Sequence, residues 1–142
     1  MTQPSPRRTT RAAKTATKTT ASRPRLPKAI QMAIEAAQGK KATDLMVLDL
    51  RKSDAFTDFF VIATGANPRQ VHAIADGVEQ ALKAGHVRPS NVEGYQRAEW
   101  VLLDYFDFVV HVFSPAARAF YGLERLWATA RHIPIEEDAP AS

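Results

Sequence analysis

Four aspartates lie at or near the ends of short apolar runs, where an α/β enzyme places the ligands of a catalytic metal: Asp49, Asp58, Asp104 and Asp107. The reaction that would use them is nucleotidyl transfer, in which two metal ions are held against a triphosphate. That chemistry requires a Gly-Ser turn followed by an Asp-x-Asp pair, and the chain contains no Asp-x-Asp or Asp-x-Glu pair. The aspartates are therefore predicted to cap turns and to accept hydrogen bonds from backbone amides, and no enzymatic activity is expected.

Other chemistries lack the residue types that they require. The chain has no cysteine, which excludes disulfides and cysteine-ligated metal centres, and no Gly-x-Ser-x-Gly motif surrounds any serine. The six glycines are too scattered for a phosphate-binding loop, and the four histidines lack metal-ligand spacing. His111 lies within an apolar run and is predicted to be structural. Neither a cofactor nor a metal site is expected.

The basic character of the chain is confined to its N-terminal end. Of the 19 lysines and arginines, eight fall within residues 1–28, where no acidic residue occurs, so the remaining residues are mildly acidic despite the net charge of +4. Residues 1–26 are predicted to be a disordered basic tail, because they hold too few apolar side chains to form a core. Three roles remain open for it: a solubilising extension, an RNA-binding arm acting through residues such as Arg7, Arg8 and Arg11, or an organellar transit peptide.

The same residues bear on location. No apolar run approaches the roughly 20 residues of a membrane span, and the N-terminus lacks the apolar stretch of a secretory signal. We therefore expect a cytoplasmic protein that does not associate with a membrane. A mitochondrial matrix location is the alternative if the basic tail is a transit peptide.

The elements that position these side chains begin with a helix over residues 27–39, predicted from the helical spacing of its apolar residues. Two apolar runs, residues 45–50 and 59–63, do not alternate cleanly, which predicts strands covered on both faces. Asn67 and Pro68 then open a second helix that ends at Gly85. Its apolar stripe consists of Val71, Ile74, Ala75, Val78 and Leu82.

Two further apolar runs, residues 100–105 and 108–113, are close enough in sequence to form an antiparallel hairpin. Ser114 and Pro115 open a last helix, which is predicted to stop at residues 132–134. The sum is an α/β domain over residues 27–131, with a mixed sheet flanked by helices, and an acidic C-terminal tail over residues 132–142. The last helix has apolar positions at Ala119, Phe120, Leu123, Leu126, Trp127 and Ala130.

The run at residues 100–105 is the most informative for function. Side chains alternate along a strand, so Trp100, Leu102 and Asp104 share one face. Aspartate is almost never fully buried without a partner, so this face is predicted to be the wetter one. That arrangement leaves a tryptophan near the surface as a partner site. The alternative is a strand covered on both faces, with Trp100 in the core. Spacing alone does not separate the two.

Four ordered segments of the chain form a recognisable set. They are Thr57-Asp58-Phe59-Phe60-Val61-Ile62-Ala63-Thr64-Gly65, Val92-Glu93-Gly94 followed by Glu99-Trp100-Val101-Leu102-Leu103-Asp104-Tyr105, His111-Val112-Phe113, and Tyr121-Gly122-Leu123-Glu124-Arg125-Leu126-Trp127. Together they resemble a known family, the RsfS (Iojap) ribosomal silencing factors. The resemblance covers residues 27–127 and leaves the basic tail outside it.

The resemblance implies a protein that binds the large ribosomal subunit through protein L-fourteen and sterically blocks joining of the small subunit. It also implies a nucleotidyltransferase-like fold without catalytic residues, and a homodimer when the protein is free. The implied partner surface is the strand at residues 100–104, and a rim of acids would suit a basic ribosomal protein. These residues are Trp100, Val101, Leu102, Leu103 and Asp104, with Glu99 and Asp58 in the rim.

The chain departs from the family at one position of the hairpin turn. Where the family has glycine in the hairpin turn, this chain has Phe106, which suggests a different turn geometry or an extra apolar contact at the hairpin tip. The alternative functions are a nucleotidyltransferase-like enzyme, and a non-specific RNA-binding module that acts through the basic tail.

Overall fold

A computed structural model of the protein describes residues 26–136, which form one six-stranded sheet with helices on both faces. The predictions for residues 1–25 and 137–142 lie outside the described residues. In chain order the elements are α1 (Lys28–Gly39), β1 (Thr43–Asp49), β2 (Phe59–Thr64), α2 (Pro68–Ala84), β3 (Asn91–Glu93), β4 (Trp100–Asp104), β5 (Phe108–Phe113), α3 (Pro115–Tyr121), α4 (Leu123–Leu126) and β6 (Arg131–Pro134).

The sheet is mixed, as predicted, with the strand order β3-β4-β5-β2-β1-β6. Its central pair, β2 and β5, is parallel, and every other neighbouring pair is antiparallel. All six residues of β2 and all six of β5 are buried, which confirms that the apolar run at residues 59–63 is covered on both faces. The predicted hairpin between β4 and β5 is also present.

The two long helices, α1 and α2, pack on one face of the sheet and enclose the larger of two apolar clusters. The Asn67 side chain caps α2 by accepting a hydrogen bond of 2.9 Å from the backbone N–H of Gln70, and Pro68 occupies the first turn, as predicted. All five residues of the predicted apolar stripe of α2 are buried. No helix among residues 26–136 has the length and apolar character needed to cross a membrane.

The other face of the sheet is covered by two short helices, where the sequence predicted one long helix. Ser114 caps α3 as predicted, but the helix ends at Tyr121 because Gly122 adopts a left-handed conformation, with φ +53°. The chain changes direction there and continues as α4. Phe120 and Leu126, two of the apolar positions of the predicted helix, are exposed by 78% and 72%. The prediction of a continuous helix is therefore wrong.

The C-terminal boundary of the domain also lies beyond the predicted position. Residues 131–134 form β6, which pairs antiparallel with β1 and sets Ile133 opposite Val47. Ile133 and Ile135 are buried in the larger apolar cluster. The pairing also covers the edge of β1, which would otherwise be open. Pro134 is tolerated because β6 is itself an edge strand. Residues 132–136 thus belong to the folded domain and not to a tail.

The N-terminal boundary shifts by one residue. Leu26, which the predicted tail includes, is buried in the larger apolar cluster. Its carbonyl oxygen accepts a hydrogen bond of 2.6 Å from the side-chain amide of Gln31 in α1. Leu26 therefore belongs to the folded domain.

Candidate partner-binding surface

Strand β4 places its side chains alternately in the core and at the surface. Val101 and Leu103 are completely buried in the larger apolar cluster, on the face of the sheet that α1 and α2 cover. Trp100, Leu102 and Asp104 are half-buried on the opposite face. The predicted division of the strand is confirmed, but Val101 and Leu103 cannot contact a partner through their side chains. Of the predicted partner residues of β4, only Trp100, Leu102 and Asp104 can present their side chains to a partner.

The indole ring of Trp100 is held in one orientation by its neighbours. Its Nε1–H donates a hydrogen bond of 3.0 Å to Nδ1 of His111 on the adjacent strand β5. The ring also packs against Tyr121 and Phe113, with centroid distances of 4.5 and 5.1 Å. A half-exposed tryptophan fixed in this way presents apolar area to a partner without losing much rotamer freedom on binding.

His111 is a buried structural histidine whose protonation state follows from its surroundings. Burial lowers its pKa to about 3, so the ring is neutral near pH 7. Because Nδ1 accepts the indole hydrogen bond, the proton of the neutral ring lies on Nε2. Nε2 is buried without a hydrogen-bond partner, and the ring stands edge-to-face against Phe60 at 4.5 Å. The role of His111 is therefore to orient Trp100.

The short helix α3 adds aromatic residues that the sequence did not assign to this surface. Tyr121 is 48% exposed and lies against Trp100, and Phe120 stands edge-to-face to Tyr121 at 5.0 Å. The left-handed Gly122 ends α3 directly after this pair, and a glycine inside a predicted helix was the available signal. We call the group of Trp100, Leu102, Asp104, Phe120 and Tyr121 the Trp100 surface.

A partly buried ion pair holds these short helices to the sheet. Arg118 in α3 donates from Nε to the carboxylate of Glu124 in α4 at 2.8 Å. It also donates from a terminal nitrogen to the hydroxyl of Thr64 at the end of β2, at 2.7 Å. Only 12% of the Arg118 side chain is exposed. Arg118 thus links α3, the helix that carries Tyr121, to α4 and to the end of β2.

The predicted rim acids lie at opposite ends of the Trp100 surface. Glu99 is exposed and directly precedes Trp100, with only a loose contact of 3.9 Å to Arg97. Asp104 lies at the other end of β4, about 14 Å from Trp100 at the usual rise per residue. Asp58 is exposed at that same far end, in the loop that leads into β2. The structure therefore places acid at both ends of the surface.

The four aspartates singled out in the sequence meet at one end of the sheet, because the strand register aligns β1, β2, β5 and β4 there. Asp49 accepts two hydrogen bonds from the Arg51 side chain, at 3.0 and 2.8 Å, which hold the pKa of its carboxyl below the usual range. Asp104 accepts from the backbone N–H of Phe106 at 2.9 Å. Asp49 and Asp104 thus stabilise turns, as predicted. Across residues 26–136, no three histidine or acidic side chains form a group that could hold a metal ion.

The hairpin turn after Asp104 has Phe106 where the family has glycine, but the backbone there adopts a conformation that glycine favours. Phe106 has φ +73°, a region that favours glycine. Its side chain is 77% exposed. Of the two alternatives expected for Phe106, the extra apolar contact at the hairpin tip is not made by the described residues, and the ring faces solvent.

Comparison with known proteins identifies the family. Residues 23–142 match the family model described as "Ribosomal silencing factor during starvation". The chain is 37% identical over 107 residues to ribosomal silencing factor RsfS of Halalkalibacterium halodurans, covering 75% of this chain and 92% of that protein. It is 37% identical over 111 residues to the chloroplastic protein Iojap of Zea mays, covering 73% of this chain and 45% of that protein.

Solved structures agree with this relationship. A crystal structure of a Chromobacterium violaceum protein superposes with a TM-score of 0.69 at 36% identity, covering 80% of this chain and 88% of that one. The family consists of ribosomal silencing factors and not of enzymes. The chain belongs to the RsfS family of ribosomal silencing factors.

Proposed function

We propose that this protein silences translation by binding the large ribosomal subunit through protein L-fourteen and blocking the approach of the small subunit. The mechanism is steric: a domain seated on the intersubunit face occupies volume that the small subunit needs, and no covalent step is involved. Membership of the RsfS family supports the ribosomal role, and the resemblance of β4 to the family's partner strand supports the choice of surface.

The observation that carries the proposal is the half-exposed Trp100, held rigidly by His111 beside a second exposed aromatic residue, Tyr121. Buried aromatic anchors dominate the binding energy of most protein interfaces, and orienting the ring in advance lowers the entropic cost of docking. The Trp100 surface has the aromatic composition of such an anchor.

The charges around the Trp100 surface favour a basic protein over nucleic acid. Glu99 and Asp104 flank it, and Asp58 lies at its far end. Acidic side chains repel phosphate and attract lysine and arginine, so they speed association with a basic ribosomal protein. A ribosomal protein is therefore the favoured contact of this surface. Contact with ribosomal RNA is assigned to Arg7, Arg8 and Arg11 of the basic tail.

In the absence of ribosomes we expect the homodimer that the family resemblance implies, and the exposed aromatic Trp100 surface is a candidate for its interface. Binding to the ribosome and dimerisation would then compete for the same residues. The proposal predicts that the dimer dissociates more readily when large subunits are added.

The test is co-sedimentation of the purified protein with separated ribosomal subunits on a sucrose gradient. Selective migration with the large subunit, together with fewer joined ribosomes, is the expected result. Migration with neither subunit would contradict the proposal. Equal migration with both would instead indicate RNA binding by the tail. A variant lacking residues 1–25 distinguishes binding by the domain from RNA binding by the tail. Under the proposal it should still bind the large subunit selectively, but its affinity should depend less on salt. The deletion stops before Leu26 because that residue is buried.

A further inference from the structure

Two phenylalanines stand exposed at the acidic end of the sheet, outside the Trp100 surface. Phe56, in the loop between β1 and β2, is 78% exposed, and Phe106, in the turn between β4 and β5, is 77% exposed. Neither ring belongs to either apolar cluster of the domain. Their contribution to the core is therefore small, and the fold gives no reason for two large apolar side chains here.

The backbone of Phe106 is strained. Its φ of +73° is a conformation that phenylalanine rarely adopts and that glycine adopts freely. Strain of this kind persists only where the surrounding structure enforces it, and it is concentrated at functional sites. A residue that is both strained and exposed lowers the stability of the free protein, which points to a benefit outside the fold.

The two loops form one rigid platform. The Thr57 hydroxyl donates to the carbonyl oxygen of Phe106 at 2.8 Å, and the backbone N–H of Asp58 donates to the carbonyl oxygen of Asp107 at 3.0 Å. Asp104 holds the turn from the other side through the N–H of Phe106. The loops that carry both aromatic residues are thus bound to each other and to the end of β4.

Acidic side chains predominate around this platform. Residues 51–58 and 104–107 contain four aspartates, Asp54, Asp58, Asp104 and Asp107, against two basic residues. One of those two, Arg51, is engaged with Asp49. The platform therefore combines apolar area with net negative charge. We call Phe56, Phe106, Asp54, Asp58 and Asp107 the sheet-end patch.

We propose that the sheet-end patch is a second anchor for the protein that binds the Trp100 surface, and that it takes a basic segment of that partner. Aliphatic parts of the segment contact the two rings, and its lysines or arginines lie beside the aspartates. The inference rests on the proposed function and extends it. Asp104 belongs to the Trp100 surface and directly supports the Phe106 turn, so the two regions are continuous along β4.

The negative charge of the sheet-end patch favours a basic protein segment over RNA or a second copy of this chain. RNA is disfavoured because phosphates would meet the aspartates. A second copy whose twofold axis passed through the patch would bring the aspartates of the two copies together, which like charges disfavour. A basic protein segment can pack its aliphatic groups on the two rings and place its positive charges beside the aspartates.

The experiment measures the affinity of the full-length protein and three variants for isolated large subunits, together with their melting temperatures. Phe106→Gly relieves the backbone and removes the ring, and Phe106→Asn removes the ring while tolerating the positive φ. Both variants should melt at or above the temperature of the parent, yet bind large subunits about tenfold more weakly. Phe106→Leu keeps an apolar side chain and should bind within about threefold of the parent.

The outcomes separate this inference from the proposed function. If the parent protein does not bind large subunits, the proposed function fails, and the inference fails with it. If the parent binds and Phe106→Gly and Phe106→Asn bind equally well, only the inference is overturned. If these variants alter self-association in sedimentation velocity but leave subunit binding unchanged, the patch joins copies of this chain and the inference is likewise overturned. The inference is supported if Phe106→Gly and Phe106→Asn lose affinity for large subunits to the same extent while their melting temperatures do not fall.

Discussion

The indole nitrogen of Trp100 and the imidazole of His111 are joined across neighbouring strands by a hydrogen bond of 3.0 Å in which the histidine is the acceptor. This one contact sets three properties of the site. It orients the indole ring, it places the proton of the neutral histidine on Nε2, and it requires His111 to stay uncharged. The surface proposed to bind the ribosome is therefore built on a buried group that resists protonation.

The first prediction concerns Trp100 itself. Trp100→Ala removes the central apolar area of the Trp100 surface and should weaken binding to the large subunit by about 2 kcal/mol or more, roughly a thirtyfold rise in Kd. Equilibrium binding to purified large subunits measures the change.

The control for this change is Tyr95→Ala, because Tyr95 is a partly exposed aromatic residue that packs on α2, across the sheet from Trp100. Circular dichroism must show that both variants are folded. Unchanged affinity in a folded Trp100→Ala protein would remove the Trp100 surface from the binding site.

The second prediction follows from the pKa of His111. Its folded-state pKa is about 3, below the ordinary value of 6.5, so the unfolded chain binds this proton more readily. The stability that depends on the neutral ring is fully present above pH 6.5 and is lost as the pH falls towards 3, by about 1.4 kcal/mol per pH unit. Urea unfolding between pH 7 and pH 4.5 should show this slope. The variant His111→Phe should lack it, and an equal slope in that variant would assign the effect to other groups.

The third prediction tests the link between the short helices and the sheet. Arg118→Ala leaves Glu124 partly buried without its partner and removes the hydrogen bond to Thr64, so it should lower the free energy of unfolding by about 1–3 kcal/mol. The matched control is Arg97→Ala, because Arg97 forms only an exposed contact of 3.9 Å and its loss should be close to neutral. Equal stabilities of the two variants in urea would show that the link does not hold α3.

The sequence predicts most of the elements because their signals are local. Asn67 and Ser114 are recognisable caps, and the alternation of β4 follows from six consecutive residues. The errors arise where tertiary contacts decide. β6 forms by pairing with the edge of β1, and four residues that include a proline give no strand signal on their own.

The candidate site shows the same division between local and tertiary information. The family resemblance led to a partner set that includes Val101 and Leu103, because a motif records which residues occur and not which way they point. Tyr121 was missed for the complementary reason: its contact with Trp100 joins α3 to the sheet, and such a tertiary contact leaves no local signal in the sequence. Whether a half-buried strand face is covered depends on such distant elements.

The last prediction concerns the glycine that allows β4 to approach its neighbour. Gly94 has φ +76°, and a Cβ atom added there would overlap the carbonyl oxygen of Trp100. Gly94→Ala must therefore distort the start of β4, at the residue that carries the indole. We expect a loss of about 2 kcal/mol or more in the free energy of unfolding, together with weaker binding to large subunits.

Gly39→Ala is the matched control, since a Cβ atom at Gly39 meets nothing within 4 Å and its φ is not positive. That change at the end of α1 should be neutral or stabilising by up to about 1 kcal/mol. Thermal unfolding of the two variants, followed by co-sedimentation, makes the comparison. If Gly94→Ala were as stable as Gly39→Ala, the close approach of Gly94 to Trp100 would not be a feature of the protein in solution. A Gly94→Ala protein that is destabilised but binds normally would show that the start of β4 tolerates displacement, and that the rigidity assigned to Trp100 contributes little to affinity.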